Sequence, residues 1–183
     1  MEKVIKLVCA GFGGQGVLTI GQMVAMMGMK RDYLVSWMPS YGPEMRGGTA
    51  NCHVVISEKN QQSPIITNDM THLLAMNQLA KDKFLNQLST NGMLISNAAL
   101  VKENDYSPQI RCDFNGLASE IENIKTANMA AFGALIVTLD MFDISEGEKV
   151  IYEKFDKIDP QLLEDNIKAY HLGVKYAQSL LSK

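Results

Sequence analysis

Two glycine-rich segments carry the residues of this sequence whose types and spacing suit the binding of an anion or a partner. The first, GFGGQG at residues 11–16, matches the pattern G-x-G-x-x-G. After a strand and before a helix, glycines at this spacing let a phosphate approach backbone N–H groups at the partly positive start of the helix. The second segment, PSYGPEMRGG at residues 39–48, places Arg46 two residues after Glu44 and directly before two glycines.

The glycine loop (residues 11–16) is compatible with two interpretations. In one, it binds an anion or a nucleotide through Gly11, Gly13, Gly14, Gln15 and Gly16. In the other, Gly13 and Gly16 only allow the strand and the helix to pack closely. Gln15 favours a functional loop, because a polar amide within a glycine turn can reach a ligand or a neighbouring segment. The dinucleotide pattern is incomplete, since Asp32 precedes the second predicted strand, whereas a ribose-binding acid follows it.

The arginine loop (residues 39–48) follows the second predicted strand, at the edge where an α/β sheet exposes its ligand crevice. Arg46 offers a planar fork of donors for a carboxylate or a phosphate, and the glycines after it can turn their N–H groups towards the same anion. A surface turn with a Glu44–Arg46 pair, worth less than about 1 kcal/mol, is the simpler alternative. The candidate residues of this loop are Tyr41, Glu44, Arg46, Gly47 and Gly48.

The composition argues against several other classes of function. With 17 Lys and Arg against 20 Asp and Glu, the net charge is −3, so the basic excess typical of nucleic-acid binding is missing. The cysteines, Cys9, Cys52 and Cys112, are too far apart for a C-x-x-C zinc or iron–sulfur motif. The histidines stand apart from any cysteine or acidic cluster, and Ser40 lacks the G-x-S-x-G frame of a nucleophile. We therefore expect neither catalytic residues nor metal ligands in this chain.

The elements that must position the two loops alternate between strands and helices. Apolar runs predict strands near residues 4–9, 33–38, 49–57, 92–96 and 110–114. Helical spacing predicts helices at 17–29, ending near Gly28, at 78–88 and near 117–124. From residue 128 the pattern is helical, with helices over 129–139, from Ser145 with Glu148 as its capping partner, and from Asp159-Pro160. Asn128 is expected to cap the first of these.

This order predicts a single α/β domain spanning residues 1–183. It would be a three-layer Rossmann-like domain with a mostly parallel sheet and a helical C-terminal third. The uncharged stretch at residues 7–29 has the length of a membrane span, but its glycines are bunched, so we expect a soluble, cytoplasmic protein. The methionines at 23, 26, 27 and 29 are expected to fill the core, whereas those at 38 and 45 suit a subunit interface.

The two loops together resemble a known family. GFGGQGV at residues 11–17, followed by SYGPEMRGGTANC at 40–52, is similar to the gamma subunit of 2-oxoacid:ferredoxin oxidoreductases. ANM at 127–129, followed by GAL at 133–135, resembles a third motif of the same family. The resemblance runs from about residue 4 to residue 139 and extends more loosely along the helical tail. Enzymes of this family oxidatively decarboxylate a 2-oxoacid and transfer the acyl group to CoA.

The resemblance implies an accessory role for this chain, with no cofactor bound by the chain alone. Thiamine diphosphate and Mg²⁺ would lie between alpha and beta subunits, the [4Fe–4S] clusters on a ferredoxin-like delta subunit, and CoA would be the co-substrate. Ferredoxin or flavodoxin would accept the electrons. The glycine loop would then not bind NAD, and the arginine loop would face the partner subunits and the CoA-access side of the active site. The same likeness implies an interface role for Asn128.

Two further hypotheses remain open beside the accessory subunit. The glycine loop alone supports a stand-alone nucleotide-binding Rossmann-like oxidoreductase. An interaction module without chemistry of its own is the third, and the accessory subunit partly includes it. None of the three involves nucleic acid or a membrane. The sequence does not identify the 2-oxoacid, because substrate selection is expected on the alpha and beta chains.

Overall fold

The computed structural model describes residues 2–41, 49–60 and 62–182. Over the first half of the chain, a helix follows the first strand as predicted, but the next three strands follow one another without a helix between them in the described residues. The strands are β1 (Val4–Phe12), β2 (Leu34–Tyr41), β3 (Thr49–Ser57), β4 (Met70–Ala75), β5 (Leu88–Asn97) and β6 (Gln109–Cys112). The α-helices are α1 (Val17–Lys30), α2 (Gln78–Phe84), α3 (Phe114–Glu120), α4 (Ala127–Ile136), α5 (Ile144–Lys154) and α6 (Pro160–Leu181).

The strands form one mixed sheet in the order β2-β3-β1-β4-β5-β6. Parallel pairing joins β1, β4, β5 and β6, whereas β3 is antiparallel to both β1 and β2. The predicted mostly parallel sheet is therefore confirmed, and the reversed β3 is an addition to it. The reversal follows from the short connection, because the segment 42–48 is too short for the crossover that parallel neighbours require.

Helices cover both faces of the sheet, which confirms the predicted three layers. The larger core lies beneath α1, α3, α4, α5 and α6 and includes Leu7, Ile56 and Phe132. The smaller core lies beneath α2 on the opposite face and includes Val8, Leu73 and Phe84. Helices α4, α5 and α6 form the predicted helical C-terminal third. No helix within the described ranges has both the length and the apolar character needed to cross a membrane.

Helix α1 approaches the sheet closely at two glycines. A Cβ at Gly21 would lie 2.3 Å from Cys52 Sγ, and one at Gly28 would lie 2.8 Å from Val35 Cγ2. The helix predicted over residues 17–29 is confirmed to within one residue, since α1 ends at Lys30, but Gly28 is a packing residue and does not end the helix. The chain then reverses direction through Asp32, which has a φ of 55°. Glycine is therefore needed at position 28 because the helix lies so close to the sheet, and not because the helix must end there.

Helices α4 and α6 are packed closely enough for their backbones to touch. A Cβ at Gly133 would lie 2.0 Å from the Tyr170 carbonyl oxygen, and one at Gly173 would lie 1.9 Å from that of Ala130. The buried Tyr170 ring donates its hydroxyl to Ile144 O at 2.7 Å, so the same crossing also holds the start of α5. Apolar residues on all sides of α4 are explained by this double packing, against the sheet and against α6.

Of the three predicted C-terminal helix starts, those of α4 and α5 differ from the prediction and that of α6 agrees with it. Asn128 is not the cap of α4, because the chain becomes helical at Ala127 after a short 3-10 turn and Thr126 is the capping residue. Helix α5 is capped by Asp143 with Glu146, so the box predicted for Ser145 and Glu148 was displaced by two residues. The start of α6 at Asp159 and Pro160 is confirmed, with Oδ1 of Asp159 accepting from Gln161 N at 2.9 Å.

Two element boundaries and one of the methionine positions differ from the predictions. The predicted arginine loop begins inside β2, which extends through residues 39–41, and the helix expected near 117–124 begins earlier, at Phe114. Met23 and Met27 are fully buried as predicted, whereas Met29 is 65% exposed, since it lies at the far end of α1. Met38 is partly exposed at 37%, and Met45 lies outside the described residues.

Candidate functional site

The glycine loop lies at the carboxyl edge of the sheet, at the point where the chain connections change direction. From β1 the chain passes through α1 to β2 on one side, whereas from β4 it passes through α2 to β5 on the other side. The adjacent parallel strands β1 and β4 therefore have loops that diverge at their carboxyl ends. Such a position opens a crevice that open α/β sheets use for ligands.

Two residues of the glycine loop have conformations that favour glycine. Gly14 has a φ of 93° and Gly16 a φ of 70°. Gly16 is the capping residue of α1, and no side chain of the described residues caps this helix. The first turn of α1 also contains no acidic residue, so its partial positive charge is not offset from within the helix.

Gln15 holds the glycine loop against the neighbouring strand. Its Oε1 accepts from Phe12 N at 2.7 Å and from Asn77 Nδ2 at 3.0 Å, and its Nε2 donates to Met76 O at 3.2 Å. A Cβ at Gly11 would lie 2.6 Å from the same Oε1, so glycine is required there for the amide to fold back. The amide therefore reaches a neighbouring segment, one of the two roles expected for it, and shapes the loop from inside.

Asn128 brings the start of α4 onto the start of α1. A Cβ at Gly16 would lie 2.4 Å from Asn128 Nδ2, so the amide occupies the space that any other residue at position 16 would need. Asn128 is half-buried, and its amide forms no hydrogen bond with another side chain of the described part of the chain. Because Asn128 is not a helix cap, its side chain is free to face the glycine loop.

Further asparagines, which the sequence analysis missed, continue this arrangement along the carboxyl edge. Asn77 accepts from Ala80 N at 2.9 Å and so caps α2, while its amide nitrogen binds Gln15. Asn97, which is fully buried, donates to Asn115 Oδ1 at 3.0 Å. The signal that could have identified them is their position, since Asn77 lies two residues after the end of β4 and Asn97 is the last residue of β5.

A cavity of about 200 Å³ opens between the glycine loop and the starts of α3 and α4. Its lining includes Gly14, Gln15, Met76, Asn115, Lys125 and Asn128. The lining holds amide groups and one ammonium group, and α4, like α1, has no acidic residue in its first turn. The electrostatics therefore favour an anion. The volume is below the usual range for a whole small-molecule ligand, so the cavity suits a group of phosphate or carboxylate size.

Among the described residues that line the cavity there is no histidine, cysteine or carboxylate, and the amides and the ammonium group present are suited to binding an anion. His72 lies deeper, between Thr71 Oγ1 at 2.8 Å and Thr138 O at 3.1 Å, and its burial lowers its pKa. Burial beside Asp113 raises the pKa of Cys112 to about 12. Across the described residues, no group of three or more His, Cys, Asp and Glu side chains could hold a metal ion.

The arginine loop connects strands that end beside the glycine loop. Tyr41, the last residue of β2, pairs with Ala50, and Thr49 of β3 pairs with Phe12. The side chain of Tyr41 and the residues Glu44, Arg46, Gly47 and Gly48 lie outside the described part of the structure. Their proposed contacts with an anion or a partner therefore stay predictions.

Asp32 lies at the opposite edge of the sheet from the cavity. It follows the end of α1 and precedes β2, and its N–H donates to Met29 O at 3.1 Å. A ribose-binding acid would instead lie at the carboxyl edge, after β2. The structure therefore agrees with the sequence-based expectation that Asp32 is not at the position of the ribose-binding acid in a dinucleotide site.

Comparison with known proteins identifies a family for nearly the whole chain. A sequence profile described as pyruvate ferredoxin/flavodoxin oxidoreductase matches residues 6–176. Ketoisovalerate oxidoreductase subunit VorA from Methanothermobacter marburgensis is 32% identical over 97% of this chain, which spans 37% of the length of that relative. The 2-oxoglutarate synthase subunit KorC from Methanocaldococcus jannaschii is 30% identical over 98% of this chain and 96% of its own length.

Solved structures share the fold. The gamma subunit of a keto/oxoacid ferredoxin oxidoreductase from Geobacter sulfurreducens superimposes with a TM-score of 0.78, at 24% identity, over 96% of this chain and 99% of that one. A 2-oxoglutarate:ferredoxin oxidoreductase from Magnetococcus marinus, with 2-oxoglutarate, coenzyme A and succinyl-CoA bound, gives a TM-score of 0.86 at 21% identity. This chain covers 32% of that protein, and 98% of this chain is matched.

Proposed function

Because the chain belongs to the pyruvate ferredoxin/flavodoxin oxidoreductase family, we propose that it is the gamma component of a thiamine-diphosphate-dependent 2-oxoacid:ferredoxin oxidoreductase. The complex would convert a 2-oxoacid and CoA into acyl-CoA and CO₂ and would reduce ferredoxin or flavodoxin. Thiamine diphosphate and iron–sulfur clusters, bound by alpha, beta and delta partner subunits, would supply decarboxylation and electron transfer. This chain would contribute binding surface and no catalytic residue, and it would be inactive alone.

One observation carries this assignment. Segments that are far apart in the sequence, namely 11–17, 40–52 and 127–135, carry the family resemblance, and their described parts meet at the carboxyl edge. The contact of Asn128 with Gly16 joins the first segment to the third, and the pairing of Phe12 with Thr49 joins the first to the second. Residues that resemble a family and also converge in space support a shared surface.

We further propose that this edge faces the partner subunits at the side where CoA enters. The cavity beside Lys125 suits an anionic group, and CoA carries phosphates. Arg46, on the adjacent loop, would bind a CoA phosphate or a partner carboxylate through its planar fork. The gamma chain would then hold or orient the anionic end of CoA while the acyl transfer takes place on the partner subunits.

Reconstitution tests the assignment. The chain is co-expressed with the thiamine-binding and ferredoxin-like chains of the same organism and analysed by size exclusion, and acyl-CoA formation is assayed with and without it. We expect co-elution and loss of activity when the chain is omitted. A stable monomer that does not co-elute, together with unchanged activity on its omission, would overturn the proposal.

The Arg46→Lys variant tests the CoA side within the same complex. Lysine keeps the charge but cannot form two parallel hydrogen bonds, so we expect lower acyl-CoA formation with the complex still assembled. Arg31→Lys is the matched control, since Arg31 is bound to Glu146 at the far end of α1. Kinetics of the Arg46 variant that equal those of the control would leave only a surface-turn role for Arg46.

A stand-alone nucleotide-binding oxidoreductase is the second candidate, because the start of α1 is open towards the cavity. The position of Asp32 and the cavity volume of about 200 Å³ both disfavour a dinucleotide. Calorimetric titration of the chain with NAD, NADP and FAD decides between the two functions. Measurable heat at micromolar ligand would favour the second candidate, and its absence at millimolar ligand would exclude it.

A further inference from the structure

Two of the cysteines lie directly opposite each other on neighbouring strands. In the antiparallel register of β1 and β3, Cys9 pairs with Cys52. Both are free thiols with no exposed surface, and both belong to the core beneath α1. Directly opposed residues of antiparallel strands point to the same face, so the two thiols lie beside each other. Cys112, the third cysteine, is also free and buried, but it is on the edge strand β6, which β4 and β5 separate from β1.

The spacing of such a pair matches that of a disulfide. Opposed Cα atoms in antiparallel strands are about 4.5 to 5.5 Å apart, and disulfides form at Cα separations of about 4.4 to 6.8 Å. The strands therefore need little movement to bring the sulfurs within bonding distance. Gly21 has no side chain, and a Cβ at this position would lie 2.3 Å from Cys52 Sγ. The glycine therefore provides the space in which the sulfur lies.

The surroundings make one thiol of the pair the better nucleophile. Interaction with the Cys9 thiol and with the Trp37 indole lowers the pKa of Cys52, whereas burial raises the pKa of Cys9. The indole N–H of Trp37 has no conventional hydrogen-bond acceptor among the described residues, so its interaction with the sulfur is available to stabilise a thiolate. Thiolate is the form that attacks a peroxide or a second sulfur.

We propose that Cys9 and Cys52 form a redox-sensitive dithiol that a peroxide-class oxidant converts into a cross-strand disulfide. The Cys52 thiolate attacks one oxygen of hydrogen peroxide, the O–O bond breaks, and hydroxide takes a proton to leave as water. The resulting sulfenic acid is attacked by the Cys9 sulfur, the S–S bond forms, and the sulfenic oxygen leaves as a second water. Both thiols are oxidised and one peroxide is reduced.

The disulfide would act directly beneath the glycine loop. In the reduced chain, the Cys52 thiol donates to Val17 O at 3.5 Å and so connects β3 to the first turn of α1. Oxidation removes this donor and joins β3 to β1 only two residues before Gly11. The redox state of the pair is thus coupled to the position of the loop that lines the cavity. This inference does not depend on the proposed function, since it rests on the register of two strands.

Thiol mapping tests the proposal on the full chain. The reduced protein is treated with a small excess of hydrogen peroxide, unfolded, alkylated and digested for mass spectrometry. We expect two of the three thiols to be lost, a cross-linked Cys9–Cys52 peptide that dithiothreitol reverses, and Cys112 fully alkylated. Three thiols that stay alkylatable, or cross-links that involve Cys112, would overturn the proposal.

Variants distinguish oxidation of this cysteine pair in the folded protein from oxidation of thiols that unfolding exposes. Cys112→Ser should retain the disulfide, and Cys52→Ser should abolish it. For the case in which Cys52→Ser does not fold, Trp37→Phe keeps both thiols and removes the indole N–H. We expect the Trp37 variant to oxidise several-fold more slowly when both proteins are compared well below their melting temperatures. An unchanged or faster rate in that variant, with Cys112 lost in parallel, would show that the thiols react only through unfolding.

Discussion

The carboxyl edge and the crossing of α4 with α6 are built by opposite means. At the edge, loops are held by side-chain amides, namely Gln15 to Asn77 and Asn97 to Asn115, and a cavity is left between them. At the crossing, glycines bring two backbones into contact and leave no space. Amide hydrogen bonds fix positions without filling volume, whereas glycine packing excludes everything else. The carboxyl edge therefore keeps space for a small group, whereas the crossing is closed by contact between backbones.

The largest expected effect is at the helix crossing. Gly173→Ala would place a Cβ 1.9 Å from Ala130 O, and because backbone cannot rotate away, the helices must separate. We expect a loss of about 3 kcal/mol in the free energy of unfolding. Urea denaturation measures it, with Lys175→Ala, exposed on the same helix, as the control that should change stability by less than about 0.5 kcal/mol. A small effect at Gly173 would mean that the crossing is looser than the backbone contacts indicate.

A smaller effect is expected at the corresponding glycine of the carboxyl edge. A Cβ at position 16, where φ is 70°, would lie 2.4 Å from Asn128 Nδ2 and 2.9 Å from Asn128 Cβ. The amide can rotate away, so only the milder contact with the Cβ, which is fixed to α4, remains. We expect a cost of about 1 to 2 kcal/mol. Gly14→Ala is the matched control, since Gly14 also has a positive φ and no atom of the described residues lies within 4 Å of its added Cβ.

The double variant Gly16→Ala with Asn128→Ala isolates the contact between the glycine loop and the start of α4. If Asn128 causes part of the cost at Gly16, removing its amide should restore about 0.5 kcal/mol or more relative to additivity. Additive losses would show that only the backbone conformation of Gly16 matters. In that case the carboxyl edge would not depend on Asn128 for its shape.

Charge at the cavity should affect binding and leave stability unchanged. In the reconstituted complex, Lys125→Glu should raise the KM for CoA about five-fold, which corresponds to about 1 kcal/mol, without a change in melting temperature. Lys59→Glu reverses a charge on the connection after β3, at the opposite edge, and should leave the KM for CoA as it is. Equal effects of both variants would indicate general electrostatics of the chain rather than a site at the cavity.

A further effect is the dependence of stability on pH that arises from His72. Burial lowers the pKa of His72 in the folded chain, and the hydrogen bond with Thr138 O and the charge of Asp140 oppose this to a smaller extent. As the pH falls below about 6.5, the unfolded chain takes up a proton that the folded chain does not, so stability decreases. His53, whose pKa burial and Lys83 also lower, adds to the same trend.

Denaturation at pH 7 and pH 5.5 measures this dependence. We expect the wild-type chain to lose about 1 kcal/mol more than the His72→Gln variant over this interval, since glutamine does not titrate. The comparison is made between the two pH dependences, because the substitution also changes stability at pH 7. Identical slopes would contradict a neutral buried imidazole at His72.

Local patterns predicted much of the chain correctly. The strand, glycine loop and helix at its start, the strand at residues 49–57 and the helix start at Asp159-Pro160 all follow from signals within a few residues. The family resemblance lay in short segments as well, and the family is confirmed. Errors at Gly28, Ser145 and Asn128 arose where a residue of suitable type had a tertiary role, or where a better cap lay nearby.

What the sequence by itself determined is therefore the set of elements, their order and the two loops that lie after strands. Only the tertiary structure decided which side chains meet: Asn128 on Gly16, Gln15 between β1 and β4, and Cys9 opposite Cys52. Spacing along the chain specifies a helix or a strand because those hydrogen bonds are local. Contacts between distant segments depend on strand order, register and the distance between helices, and these are set by the packing of the whole sheet against its helices.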